Sequence, residues 1–86
     1  MYRIANVTDR SGKTQKPERI GEIIYDPEFK LCSDGEERMY AEYAVGERVG
    51  KAMLTSPVVM DSMDMATRTI MVVTENSVYT LERVQN

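Results

Sequence analysis

Thr67-Arg68-Thr69-Ile70-Met71-Val72-Val73-Thr74-Glu75-Asn76-Ser77-Val78-Tyr79-Thr80-Leu81-Glu82-Arg83-Val84 reads as two extended arms around a turn at Glu75-Asn76. Folded there, the arms place Val72 opposite Tyr79 and Ile70 opposite Leu81, with Met71 facing Thr80 and Val73 facing Val78. Side chains alternate across a strand with period two, so Ile70, Val72, Tyr79 and Leu81 share one face, and that face should cover a core. Asparagine tolerates the positive φ that a tight hairpin turn uses, which assigns that role to Asn76. A C-terminal hairpin over 67–84 makes the chain β-rich.

The rest of the chain is read outward from this hairpin. Tyr2 to Val7 alternates Tyr2, Ile4 and Asn6 against Arg3, Ala5 and Val7, which predicts a short strand. Thr8 to Glu18 has no apolar residue and reads as a long polar loop. Ile20 to Tyr25 is a second strand, ended by Asp26-Pro27, because proline lacks the ladder donor and restricts the residue before it. Phe29 and Leu31 anchor a short extended piece, and Ser33-Asp34-Gly35-Glu36 is a turn. Glu37 to Val45 fits two patterns. Met39, Ala41, Tyr43 and Val45 alternate as in a strand, whereas Asp34 with Glu37 would cap a helix. Tyr and Val favour the strand. Gly46 to Gly50 is a polar connection. Ala52 to Thr55 and Val58 to Met63 are strands interrupted by Ser56-Pro57, where proline marks an edge, a bulge or a corner. Asp64 to Ala66 is the next turn. Five to six short strands in a single domain, 1–86, close most economically into a small antiparallel barrel or a strongly twisted sheet. The order of elements is similar to that of a small Src-homology-3-type barrel, although that family's tryptophan-containing, proline-reading groove is missing.

Composition excludes several chemistries. Histidine is absent and Cys32 is the only cysteine, so no Ser-His-Asp or Cys-His arrangement, disulfide or cysteine zinc cluster can form within the chain. Set among acids, Cys32 is a poor nucleophile candidate. The chain is expected to be non-catalytic and to need no cofactor or metal. No apolar run approaches the ~20 residues that span a bilayer, and no basic-then-apolar leader opens the chain, so a cytoplasmic protein is expected.

Charge is segregated. Residues 1–19 hold five cations against two acids, residues 20–66 hold ten acids against four cations, and the whole carries −3. A mildly acidic chain is a poor general binder of nucleic acid. Asp26, Glu28, Asp34, Glu36 and Glu37 form the densest acidic stretch and would suit a basic protein partner. A carboxylate-based hydrolase would need a cleft that so short a chain seldom encloses. Met60-Asp61-Ser62-Met63-Asp64-Met65 has too few oxygens for calcium. Pliable Met63 and Met65 beside Asp61 and Asp64 instead suit a protein-contact surface at a loop tip. The seven methionines otherwise read as ordinary core filling. Gly12-Lys13-Thr14 lacks the upstream glycine and following helix of a phosphate loop. Arg10, Lys13, Lys16 and Arg19 recur every three residues on the polar loop. They supply an alternative site, for a phosphorylated small molecule or nucleic acid.

Leu54-Thr55-Ser56-Pro57-Val58-Val59 with Thr74-Glu75-Asn76-Ser77-Val78-Tyr79-Thr80-Leu81 resembles small uncharacterised proteins of low-GC Gram-positive bacteria and their phages. That resemblance implies a mobile-element setting and an interference role by protein–protein contact. The expected partner is a larger protein, basic if it meets the acidic stretch. An open sheet edge would also allow a homodimer.

Overall fold

A computed structural model describes the backbone of residues 1–45 and 48–84, and the side chains of 1–43 and 50–84. Six strands follow in order: β1 Tyr2–Asp9, β2 Ile23–Leu31, β3 Glu37–Val45, β4 Arg48–Asp64, β5 Thr69–Thr74 and β6 Ser77–Arg83. Each pairs antiparallel with the next, and β6 returns to pair with β1, which closes a barrel. The predicted hairpin register is the observed one, with Val72 on Tyr79 and Ile70 on Leu81. Val72 and Leu81 are buried with Ile4, Val7, Ile24, Met39, Ala41 and Met53, and Ile70 and Tyr79 pack against that cluster.

The turn of this hairpin works differently from the expectation. Asn76 is not among the residues with positive φ. Instead the buried Thr74 hydroxyl accepts from the Ser77 amide at 3.1 Å and donates to the Ser77 carbonyl at 3.1 Å. A side-chain clamp replaces left-handed turn geometry.

Bulges account for the other departures. Strict alternation in β1 would turn Ile4 and Val7 to opposite faces, yet both are buried. A register shift between Ile4 and Asn6 inserts the extra residue that reverses facing. Asp26-Pro27 does not end the second strand. Asp26 adopts φ 47° in a bulge between Tyr25 and Glu28, so the missing proline N–H removes no ladder bond and β2 runs on to Leu31. Residues 37–45 are strand, as the alternation favoured, and Asp34 bonds the Glu36 amide and Arg38 instead of capping a helix.

The two segments flanking Ser56-Pro57 form one 17-residue strand, β4. Its pairs run to β3 as far as Pro57 and to β5 from Val58 onward, so the proline is a corner. Of the expected 46–50 connection, 48–50 belong to β4, and 46–47 lie outside the described residues. The corner also meets the hairpin turn: the Glu75 amide donates to the Pro57 carbonyl at 2.9 Å, and the Asn76 amide to Ser56 Oγ at 3.3 Å.

The polar loop is folded back on β1. Thr8 bridges Gln15, the Lys16 amide donates to the Val7 carbonyl at 2.7 Å, and a short 3-10 turn covers Pro17–Arg19.

Stagger decides which surfaces stay open. A circuit of the ladders from Asp64 through Thr69, Glu82 and Arg3 reaches Ile23. From neighbouring Ile24 it passes Tyr43 and rejoins β4 at Lys51, thirteen residues upstream of its start. So large an offset tilts the strands steeply. It leaves the β2–β3 arm overhanging, because β1 pairs with β2 only at Tyr2–Ile24 and Arg3–Ile23.

Candidate protein-contact surface

The acidic stretch lies on the overhanging arm and is partly neutralised by its own neighbours. Asp26 sits in the bulge, Glu28 pairs with Lys30 at 3.3 Å, and the Lys30 ammonium lies 4.1 Å from the Tyr40 ring centroid. Asp34 pairs with Arg38 at 2.7 Å, while Glu36 and Glu37 are exposed. Phe29 and Leu31, opposite Met39 and Glu37, belong to the inward face of β2 but are exposed, since the arm extends past the core.

The Arg38 guanidinium, helped by the Glu36 amide, holds the Asp34 carboxyl below the ordinary aspartate pKa. A depressed folded-state pKa stabilises the fold above the unfolded value, and this contribution is lost as pH falls through the folded value. Arg38→Gln is therefore expected to raise the Asp34 titration midpoint. Carbon-detected NMR titration of the carboxyl between pH 2 and 6 checks it, and an unmoved midpoint contradicts the pairing.

Methionine placement was not legible from composition. Met39 and Met53 fill the core, but Met60, Met63, Met65 and Met71 are exposed. Among the described residues, five of the eight large exposed apolar side chains lie between Val59 and Met71, on the β4–β5 hairpin. Met60 and Met71 share its outer side, as the pairs Met60–Val73 and Ser62–Met71 show. Met63 stands opposite Ile70 on the inner side. There a cleft of about 280 Å³ is lined by Tyr2, Met63, Met65, Arg68, Ile70 and Arg83.

The neighbouring acids are divided. Asp64 Oδ1 accepts from the Ala66 and Thr67 amides at 2.9 and 3.3 Å and so shapes the turn, whereas Asp61 is an exposed edge residue opposite Val72. Among the described residues no group of three metal-ligating side chains exists. No ladder pair joins the acidic residues to the exposed methionines: β3 leaves β4 at Arg38–Pro57, and Met63 lies six residues further on. Tyr2, Arg68, Ile70 and Arg83 were missed as site residues because only the register of three strands brings them together.

The basic loop is divided as well. Lys16 Nζ donates to the Asn76 carbonyl at 2.9 Å and to Ser77 Oγ at 2.8 Å, which pins the loop to the hairpin turn. Arg19 pairs with Glu22 at 3.2 Å and lies 5.0 Å from the Tyr43 ring centroid. Arg10 and Lys13 remain exposed. Lys16→Met is expected to lower stability by about 1 kcal/mol, the worth of such bonds, with the loss read from the urea midpoint. An unchanged midpoint returns Lys16 to the pool of surface cations.

No helix among the described residues is long and apolar enough to cross a membrane. Compared with family models, with curated proteins and with solved structures, the chain matches none.

Proposed function

We propose that this chain is a non-catalytic protein-binding module that captures a larger protein through the β4–β5 hairpin. One observation carries this reading: four of the seven methionines are exposed on that hairpin while only two are buried in the core. Water-facing thioether side chains are costly to leave uncovered and repack readily against a partner. The acidic arm, with Asp26, Glu36 and Glu37 exposed, supplies a second contact for a basic region of that partner. The mobile-element resemblance of the proline corner and hairpin turn makes interference with a host defence protein the natural biological role.

The alternative, a phosphorylated ligand or nucleic acid on loop 10–19, retains only Arg10 and Lys13, because Lys16 and Arg19 are engaged within the fold.

Met63→Ser combined with Met65→Ser is expected to change stability by less than about 0.5 kcal/mol, as is usual for exposed positions. The same variant should strongly reduce affinity capture of the partner from the native host, quantified by mass spectrometry. Capture that survives these substitutions discards the hairpin as the contact surface.

A further inference from the structure

The stagger of the barrel leaves a strand edge without a partner beside the inner cleft. Val58–Asp64 pairs with β5 on one side, and on the other β3 stops at Arg38–Pro57. Among the described residues no other strand takes up that edge. An unpaired edge is a template for an added strand. This one leads toward the turn that carries Met65 and Arg68.

The cleft at that end combines apolar walls with two guanidinium groups. Tyr2, Met63, Met65 and Ile70 line it, with Arg68 and Arg83. The Arg83 amide donates to the Arg68 carbonyl at 3.1 Å, so the two side chains spring from adjoining backbone. Among the described residues Arg3, Arg19, Lys30 and Arg38 form ion pairs, and neither Arg68 nor Arg83 does. Glu82 is taken by Arg3, and Asp64 accepts from the turn amides. Arg68 also holds φ 56°, a left-handed conformation in which glycine would be less strained.

We propose that this site takes the C-terminal end of an extended peptide from the partner protein. The inference rests on the protein-binding reading above and names the part of the partner that is held. Running parallel to β4, such a peptide bonds its main chain to the Val58–Asp64 edge. Beyond Asp64 the peptide leaves the edge and turns in over the end of β4, so that its last apolar side chain lies among Tyr2, Met63, Met65 and Ile70 and its terminal carboxylate meets Arg68 and Arg83. The direction follows from charge. A parallel strand delivers a carboxylate to the two arginines, whereas an antiparallel one would deliver an ammonium group against them.

The test uses two pools of fluorescein-labelled hexapeptides. Both carry Val, Ile, Leu or Phe at the last and third-last positions, one pool ending in a free acid and the other in an amide. Fluorescence anisotropy with the full chain should show the acid pool binding about tenfold or more tighter than the amide pool, as paired charge-assisted bonds imply. Arg68→Gly with Arg83→Gln should erase that difference while leaving the fold intact by circular dichroism. Should that variant be unfolded, Arg83→Gln alone, with added salt, replaces it and must narrow the gap. Equal binding of both pools overturns the proposal, as does no binding of either. So does tight binding of decanoate without the acid pool, which makes the cleft a fatty-acid site. A concentration-dependent dimer in sedimentation that the acid pool does not disperse gives the edge to a second copy, and likewise overturns it. If capture of the host partner is lost in the methionine variant but kept in the arginine variant, only the peptide-end inference falls.

Discussion

Leu81→Ala is expected to lower the unfolding free energy by about 3 kcal/mol, the usual cost of emptying a buried leucine site. Leu81 is 1% exposed and stands in two ladders at once, opposite Ile4 on β1 and Ile70 on β5. The cavity would open where β6 closes the barrel, at a point where three strands share one layer of side chains. Neighbours held in two ladders cannot easily collapse into it. A small domain carries only about 5–15 kcal/mol of net stability, so this one change removes a large share of it. Urea unfolding followed by circular dichroism reads the loss. Leu54→Ala, on an exposed face, is the control and should shift the midpoint little. A cost below about 1 kcal/mol at Leu81 would mean that the closing seam does not carry the core.

Thr55→Val is expected to cost about 2 kcal/mol, though it preserves shape and adds apolar surface. Thr55 is 4% exposed, and its hydroxyl accepts from the Met39 amide at 3.1 Å and donates to the Ser56 carbonyl at 2.8 Å. The β3–β4 register shifts between Arg38 and Tyr40, so the Met39 amide depends on this side chain instead of a ladder carbonyl. Valine leaves a buried donor unsatisfied, and that desolvation penalty exceeds the gain from one methyl group. Thr55→Ser keeps the acceptor and should retain most of the stability. The amide of Met39 should exchange with solvent faster in the valine variant than in the serine variant. Equal stability of valine and wild type would show that the bond contributes nothing.

Both effects trace to parts of the fold that differ in how far they can be read without coordinates. The pairing of Val72 with Tyr79 and of Ile70 with Leu81 was legible because both arms lie within one short hairpin, where a turn position determines every cross-strand neighbour. The strand at 37–45 was legible for a related reason: Met39 and Ala41 alternate in line with their burial. Bulges were not. The extra residue between Ile4 and Asn6, and the one around Asp26-Pro27, follow from how neighbouring strands must bend to close the barrel. Proline at position 27 reads as a stop because its own chemistry ends ladders, yet the bulge removes the bond it would break.

The candidate surface divides along the same line. Met63 and Met65 stood out because apolar residues beside Asp61 and Asp64 at a turn have no reason to be buried, and both are exposed. Lys16 and Arg19 read as free loop cations, but other groups claim them: the distant 76–77 backbone and side chain for one, nearby Glu22 and the Tyr43 ring for the other.

Local alternation in the amino-acid order was sufficient to specify an all-β chain, the register of its last hairpin and about half of its buried face. These depend on contacts a few residues apart, and period-two patterning records them directly. Tertiary structure alone decided the large stagger, the open edge of β4 and the meeting of Tyr2, Arg68 and Arg83 around one cleft. Barrel closure couples the registers of all six strands, and no single segment carries that sum.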